Sequence, residues 1–530
     1  MVGVPLYLHK SRRQPGLATN LHGISARRFF RAAAKNFILL QLLFLGLFSY
    51  IFGSLYLQGS KIHNMEIGFV DYDQGAIGTA VREAYSELRG DGFPTLIESP
   101  SVKFPTPSDL ESAVCKTEYW AALYILPGAS NKVHDALQSA TPSFDPHTIM
   151  AYIWNQARYS TVIDQAIATN ILKLSNAARI AYTTTSVPAN TTLTPSTLAL
   201  LANPWDLLSI NIQPTAQGSR AIYNTVAIIL IMMQEFFYLG IINTLHHNFQ
   251  VYTKLRPTRI ILFRSLVSTA YCLIGSLCLA GAIWAFRSGW DVNANQFALT
   301  WMTLWLFAHI NFQILDVVSV WLPPPYVPMA LVLWVVTNVS SVILPFDLSA
   351  AWYKVGYALP AHETYTVLID VWSRGCNPNL EYALPVLFAW ELLGTGLAAM
   401  GVYRRAHYAA VAEAVARREF GERVDAAMED LRKREREGRG EEEREEGGDE
   451  KKGDEGRRSD GDTEEAGGSA SGESSERGWD EARLRREVTD AMEREVEQIL
   501  QDTRRESKAG PGFGPAFSLP FGRDDEQDDS

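Results

Sequence analysis

Six separate apolar stretches constrain the fold of this chain more than any other feature. A helix needs about 20 mostly apolar residues to cross about 30 Å of hydrocarbon. One such stretch could be a buried core helix, but six in one chain indicate a polytopic α-helical membrane protein in contact with a lipid bilayer. The shortest, the fifth, is bounded by prolines. The six predicted spans are Phe37–Leu57, Ile222–Ile242, Ile260–Phe286, Phe297–Val318, Pro328–Leu344 and Ala383–Val402.

Charge divides the chain at about residue 405. Residues 406–530 carry 22 Lys and Arg against 37 Asp and Glu, whereas residues 1–405 have a net charge of +4. The acidic balance therefore belongs to the tail, 405–530, and argues against nucleic acid as its partner. We expect the tail to begin as a charged, coiled-coil-like helix, to be disordered over 438–478, and to form a second helix over Trp479–Arg505.

Basic residues set the predicted orientation. Residues 1–36 are basic, and the chain has no Asp or Glu before Glu66. The loop after the second span and the end of the last span, Arg404–Arg405, are basic as well. Because such clusters stay in the cytosol, both termini are predicted to be cytosolic. The first span starts too late and runs too long for a cleaved signal peptide. The segment 58–220 and the loop 345–382 then lie on the opposite side.

The segment 58–220 is long enough for a domain with its own core. Short apolar runs predict strands, and apolar residues at helical spacing predict helices between them. The pattern indicates an extracytoplasmic α/β domain. Its predicted strands are Met65–Val70, Tyr119–Leu126 and Ile149–Trp154, and its predicted helices are Ile77–Arg89, Lys132–Gln138 and Tyr159–Ile180.

Two kinds of covalent modification are expected outside the membrane. Asn190 begins an Asn-Thr-Thr glycosylation sequon in the extracytoplasmic segment. Cys115 and Cys376 are both predicted on that side, where thiols are oxidised, so we expect them to pair. Cys272 and Cys278 lie in the third span. The four cysteines form no zinc-ligand spacing, so no metal site is expected.

Four segments carry a resemblance to a known family. They are EIGFVDYDQGAIG after the first span, YWAALYILPGAS with IMAYIWNQARYS in the α/β segment, NPWDLLSINIQPTAQGS before the second span, and LPFDLSAAWYKVGYALPAHETYTVLIDVW before the last. In their order and span layout they resemble the fungal nitrosoguanidine-resistance membrane proteins. More distantly, the chain is similar to phage-infection-protein-like and type-2 ABC permease domains. The resemblance covers roughly residues 30–405.

The resemblance implies a permease-like bundle over 221–404 that is tied to resistance against toxic compounds. It also implies a re-entrant hairpin within the loop 345–382, where Pro345–Pro360 is rich in the aromatic residues that favour a membrane interface. An ordinary loop lying on the lipid surface remains the alternative. Type-2 permeases are driven by a partner ATPase, which they contact through a cytosolic helix; Ile24–Lys35 has suitable spacing, but equally suits contact with anionic lipid.

Polar residues inside the predicted spans are the candidate substrate path. Ionisable groups in hydrocarbon usually face partners or water, although helix packing through hydrogen bonds is the alternative. The candidates are Glu235, Gln234, His309, Asn311, Gln313, Asp316 and Glu391. Arg264 is interpreted as extending to the inner interface.

Three common nucleotide-binding and catalytic motifs are missing from the sequence. It contains no GxxxxGK[ST], HExxH or GxSxG motif, so we expect no catalytic residues, no cofactor and no enzymatic activity. The leading hypothesis is a permease-like protein for resistance to, or export of, small toxic or lipid-like compounds. The alternative is a non-transporting sensor or scaffold with a ligand-binding outer domain and a partner-binding tail. Expected partners are a small-molecule or lipid-like ligand and either a second copy or a partner ATPase. The plasma membrane is the favoured location, with an endomembrane as the alternative.

Overall fold

A computed structural model describes residues 26–139, 144–185, 194–215 and 218–449, together with the single residues 486, 489, 490 and 494. The chain divides into two compact units. The first contains Met1–Leu239 and Arg264–Ala398, and the second contains Gly240–Phe263 and Ala399–Ser530. The α/β domain and most of the helix bundle belong to the first unit.

Helices dominate the described residues. The first helix, α1 (Ala26–Ser54), precedes the α/β domain. The helices of that domain are α2 (Ala76–Leu88), α3 (Pro107–Cys115), α4 (Ala129–Ser139), α5 (Ser160–Ile163), α6 (Thr169–Thr185) and α7 (Pro195–Ala202), with a π-helical turn between α5 and α6. The later helices are α8 (Val226–Asn248), α9 (Val251–Lys254), α10 (Pro257–Ala285), α11 (Ala294–Trp321), α12 (Val327–Ser340), α13 (Pro360–Trp372) and α14 (Leu380–Asp449).

One five-stranded sheet forms the centre of the α/β domain. The strands are β1 (Glu66–Asp71), β2 (Thr95–Glu98), β3 (Ala121–Ile125), β4 (Met150–Trp154) and β5 (Leu207–Asn211). Their order is β2-β1-β3-β4-β5, and every neighbouring pair is parallel except β3 with β4. Parallel neighbours require crossover connections, which α2, α3 and the α5–α7 segment supply.

Both faces of the central strands are buried. All five residues of β3 and of β4 are buried, which is typical of strands covered by helices on two sides. One face packs against α3 through Leu110, Ala113 and Val114. Pro107 begins α3, and Thr106 with Asp109 forms its capping box. Elsewhere in the domain, α2 packs against α6.

Five helices are long and apolar enough to cross a membrane among the residues that the structure describes. Their candidate spans are Ala33–Ser54, Val226–Asn248, Pro257–Ala285, Ala294–Trp321 and a window within Leu380–Glu429. The chain is therefore a helical protein with the character of a multi-pass membrane protein. The predicted span Pro328–Leu344 becomes α12, whose 14 residues extend only about 21 Å at 1.5 Å per residue. That length is short of the hydrocarbon thickness, since the helix starts after Pro323–Pro325 and already ends at Ser340.

The second unit contains the long continuation of the last helix. α14 runs for 70 residues to Asp449, so the stretch predicted to be disordered from residue 438 starts as helix instead. Pairs four residues apart, such as Arg417 with Glu413 and Arg418 with Glu422, favour a helix in this charged sequence. The remainder of that stretch, and most of the predicted helix Trp479–Arg505, lie outside the described residues.

Candidate functional site in the helix bundle

Glu235 is a fully buried carboxyl group near the middle of α8. Its Oε2 accepts a hydrogen bond from the Cys272 thiol of α10 at 3.2 Å. Its Oε1 has no hydrogen-bond partner among the described residues, although buried polar atoms are nearly always paired. A carboxyl group in this state is available to a proton or to a polar group of a bound molecule.

The surroundings of Glu235 are closely packed. The Tyr238 ring stacks on the Tyr271 ring with centroids 3.7 Å apart and also contacts Phe312. Gln234 lies against Gly275, where a Cβ atom would overlap its amide nitrogen. The glycine thus permits α8 and α10 to approach each other at the level of Glu235.

A second polar cluster joins α10, α11 and α14. The His309 Nδ1 atom lies 2.7 Å from Glu391 Oε1, and Gln313 donates to the same oxygen at 2.9 Å. Gln313 also contacts Thr395 at 2.9 Å. Glu391 Oε2 and Gln313 Oε1 have no hydrogen-bond partner among the described residues. The side chains of His309 and Glu391 are 14% and 20% exposed, so this cluster is the more accessible of the two.

One face of α10 connects the two clusters. The His309 Nε2 atom lies 3.3 Å from the hydroxyl oxygens of Ser268 and Thr269. Cys272, the partner of Glu235, follows Ser268 by one helical turn, and residues four apart share a helix face. Both Ser268 and Cys272 are buried. The two clusters therefore form one polar track along α10.

Arg264 lies on the same face of α10, one turn before Ser268. The sequence had predicted that its side chain extends to the inner interface, and this prediction is wrong. Arg264 does not extend to an interface: it is 4% exposed and forms a two-bond ion pair with Asp316 of α11, at 2.7 and 3.2 Å. Arg264 lies near the start of a predicted span, where arginines commonly extend to water. The sequence alone could not reveal that Asp316, 52 positions away, lies beside it. Both carboxylate oxygens of Asp316 are therefore bonded to Arg264.

Asn311 also makes internal bonds. It donates to the Phe307 carbonyl at 2.7 Å and accepts from the Trp334 indole at 2.8 Å. Of the seven candidates, Glu235, His309, Gln313 and Glu391 belong to the connected track, and Gln234 borders it. Asn311 and Asp316 hold helices together. The sequence prediction missed Cys272, Ser268 and Thr269 as members of the track, although the four-residue spacing of Ser268 and Cys272 was visible.

A small cavity lies apart from this track, at the end of α10 and the start of α11. Its lining includes Trp284, Trp290 and Trp372. Gln296 closes the adjacent wall by donating to the carbonyl oxygens of Val371 and Trp372. Glu235 does not line this cavity, so the polar track and the tryptophan-lined cavity are separate features.

Cys115 and Cys376 are joined in a disulfide with Cα atoms 4.3 Å apart. The bond links the end of α3 to the loop between α13 and α14. The Asn155 amide donates to the Cys376 carbonyl at 3.2 Å, and the Tyr159 and Tyr365 rings lie 5.1 Å apart. The α/β domain is therefore attached to the segment before the last span by covalent and packing contacts. The sequon residue Asn190 lies outside the described residues.

The family described as "Protein of unknown function (DUF3533)" matches residues 36–396. The chain belongs to the DUF3533 family. No solved structure matches it. The DUF3533 match begins in α1 and ends in α14, so it includes the α/β domain, both disulfide cysteines and the whole polar track. The basic N-terminus and the acidic tail lie outside it.

Proposed function

We propose that this DUF3533 protein is a permease-like membrane protein that contributes to resistance to, or export of, small toxic or lipid-like compounds. In this proposal it lies in the plasma membrane with both termini in the cytosol and the α/β domain on the opposite side. The resemblance to nitrosoguanidine-resistance proteins motivates the compound class. With no phosphate-binding loop in the sequence, energy comes from a partner ATPase or an ion gradient.

The observation that carries the proposal is the polar track along α10. Ionisable side chains within apolar helices are costly, and they usually mark a path for ions or substrates. Here Glu235, His309 and Glu391 come from three different helices, and two of the carboxyl groups each keep an oxygen without a partner among the described residues. If these side chains only held the helices together, we would expect their polar atoms to be paired with one another, as those of Arg264 and Asp316 are.

The segment between α12 and α13 supports a permease-like arrangement. Tyr353 donates to the Tyr50 carbonyl of α1 at 2.6 Å, and Trp390 of α14 donates to the Ala358 carbonyl at 2.7 Å. The Ala361 amide then donates to Asn338 of α12. The segment thus contacts α1, α12 and α14. We propose that residues 345–372 form a re-entrant hairpin that completes the bundle together with the short α12.

The test is a conservative replacement of the carboxyl group. Glu235→Gln keeps the volume and can still accept from Cys272. In cells that lack the gene, we expect this variant to restore less resistance to a panel of toxic compounds than the wild type does, at equal protein level and location. Glu118→Gln, which makes the same change on an exposed carboxylate, is the matched control and should restore full resistance.

The second cluster offers an independent arm of the same test. His309→Gln and Glu391→Gln should each lower resistance, and the double variant should be no worse than the poorer single one, because residues that act as a unit are not additive. If all three variants restore full resistance at normal protein level, the track serves packing and export through it is rejected.

A sensor or scaffold is the second candidate, and one observation favours it. The disulfide ties the α/β domain to the loop that leads into α14, and α14 continues without a break into the tail. Removal of residues 430–530 distinguishes the two hypotheses. A sensor or scaffold should lose its phenotype, whereas a permease should keep it, while the Glu235→Gln variant should behave in the opposite way.

A further inference from the structure

Arg158 lies in the α/β domain directly after β4, and its guanidinium group stacks on an aromatic ring. The guanidinium carbon is 3.6 Å from the centroid of the Trp120 ring. Trp120 is itself buried, at 6% exposure. The indole therefore covers one face of the cation and fixes its orientation, as expected for a cation–π contact.

The Arg158 guanidinium makes no hydrogen bond, and no ion pair within 4 Å, with any residue that the structure describes. Burial lowers the pKa of Arg158 to about 10, so the group stays cationic at neutral pH. A partly buried charge without a hydrogen-bonded counter-ion is unfavourable. The planar fork of five N–H donors matches phosphate and carboxylate oxygens in particular.

An opposite charge lies nearby but does not neutralise Arg158. Asp347, in the 3-10 turn Phe346–Leu348, is the principal electrostatic neighbour that favours the charged arginine. Its backbone carbonyl is held by the Asn64 amide at 2.9 Å. The carboxylate makes no hydrogen bond with another described residue. The α/β domain and the turn Phe346–Leu348 therefore carry an interacting cation and anion that form no hydrogen bond with each other.

The residues beside these charges are aromatic and continue into an exposed apolar strip. The Phe346, Tyr357 and His362 rings form a cluster with centroids 4.6–4.9 Å apart. Tyr357 also lies in the electrostatic surroundings of Arg158. A second 3-10 segment, Ala351–Ala358, exposes Trp352, Val355 and Tyr357 by 52–57%. Charged groups beside exposed aromatic and apolar side chains suit the headgroup region of a membrane.

We propose that Arg158 and Asp347 bind the headgroup of a zwitterionic phospholipid. The phosphate lies against the Arg158 guanidinium, and the ammonium group lies near Asp347 and the Tyr357 ring, since aromatic faces attract such cations. The acyl chains then follow the exposed apolar strip of residues 351–358. The inference does not rest on the proposed export function, because a firmly held structural lipid would occupy the site equally well.

The experiment measures lipid binding to the purified full-length protein in detergent. Phosphatidylethanolamine, phosphatidylglycerol and inorganic phosphate are titrated separately, with the rise in Tm and native mass spectrometry as readouts. We expect phosphatidylethanolamine to bind, phosphate alone to give no shift, and Arg158→Gln to weaken lipid binding at least about tenfold. Arg374→Gln is the matched control, since Arg374 is an exposed arginine that pairs with Asp291, and it should bind like the wild type.

Asp347→Asn keeps the proposal testable if Arg158→Gln fails to fold. Removal of the carboxylate should weaken phosphatidylethanolamine binding and strengthen phosphatidylglycerol binding, which reverses the order of the two lipids. Three results would overturn the proposal: equal lipid affinity in wild type and Arg158→Gln, an unchanged lipid order in Asp347→Asn, or a phosphate shift as large as that of the lipid. The last result would indicate a site for free phosphate.

Discussion

The ion pair between Arg264 and Asp316 provides the sharpest stability test of the helix bundle. The two side chains are almost completely buried and make two hydrogen bonds across α10 and α11. The Arg264 guanidinium also lies 5.6 Å from the Phe312 ring centroid. Asp316→Asn keeps the size of the side chain, but it removes the negative charge and replaces one acceptor oxygen with an N–H donor. The buried arginine therefore loses the carboxylate and one of these two hydrogen bonds.

The expected magnitude follows from that geometry. Loss of one partner of a buried ion pair costs about 3–5 kcal/mol, because the remaining charge is left without compensation. Replacement of both partners by apolar residues of similar volume is often neutral or stabilising. We therefore expect Asp316→Asn to be strongly destabilising, and the double variant Arg264→Met with Asp316→Leu to recover most of the lost stability.

The assay is unfolding of the full-length protein in detergent, arranged as a double-mutant cycle. The control is Asp291→Asn, which breaks the Arg374–Asp291 pair, whose side chains are 55% and 89% exposed. An exposed pair contributes about 0–1 kcal/mol. If Asp316→Asn lowers the stability no more than Asp291→Asn does, or if the double variant is worse than the single one, the reasoning about this ion pair is refuted.

Three further predictions concern the covalent structure, the orientation and the energy source. Cys115→Ser and Cys376→Ser should each lower stability by about 2–5 kcal/mol, and the double variant should cost no more than either single change; additive losses in thermal unfolding would show that the thiols act separately. A membrane-impermeant thiol reagent applied to intact cells should label a cysteine introduced at Glu118 but not one at Arg256, and the reverse pattern would invert the orientation. The purified chain should hydrolyse no ATP in a phosphate-release assay. ATP hydrolysis above that of a heat-treated sample would contradict the proposal that energy comes from a partner ATPase or an ion gradient.

Local sequence patterns were sufficient for the centre of the α/β domain. β1, β3 and β4 lie where short apolar runs predicted strands, because these strands are almost entirely buried and most of their residues are apolar. The edge strands β2 and β5 were not predicted. Most of their residues are only partly buried, so the sequences TLIE and LLSIN carry too little apolar signal to differ from a loop.

The candidate site shows a different limit. The sequence identified Glu235, His309 and Glu391 as unusual, since ionisable residues stand out in an apolar run. It could not assign partners, because Cys272 is 37 positions from Glu235 and Glu391 is 82 positions from His309. Arg264 was misread for the same reason: the default for an arginine near a helix end is to reach water, and only tertiary packing brings Asp316 to it.

The disulfide also dictates an order of events during synthesis of the chain. Its two cysteines are separated by 261 positions, which at 5–20 residues per second corresponds to roughly 15–50 s of translation. Throughout that interval the nascent α/β domain carries Cys115 as an unused thiol, while α8, α10 and α11 are being made. The chain has four cysteines, and the other two, Cys272 and Cys278, belong to α10, where Cys272 is buried and Cys278 is exposed. Closure of the bond marks the moment at which the segment preceding the last helix has arrived.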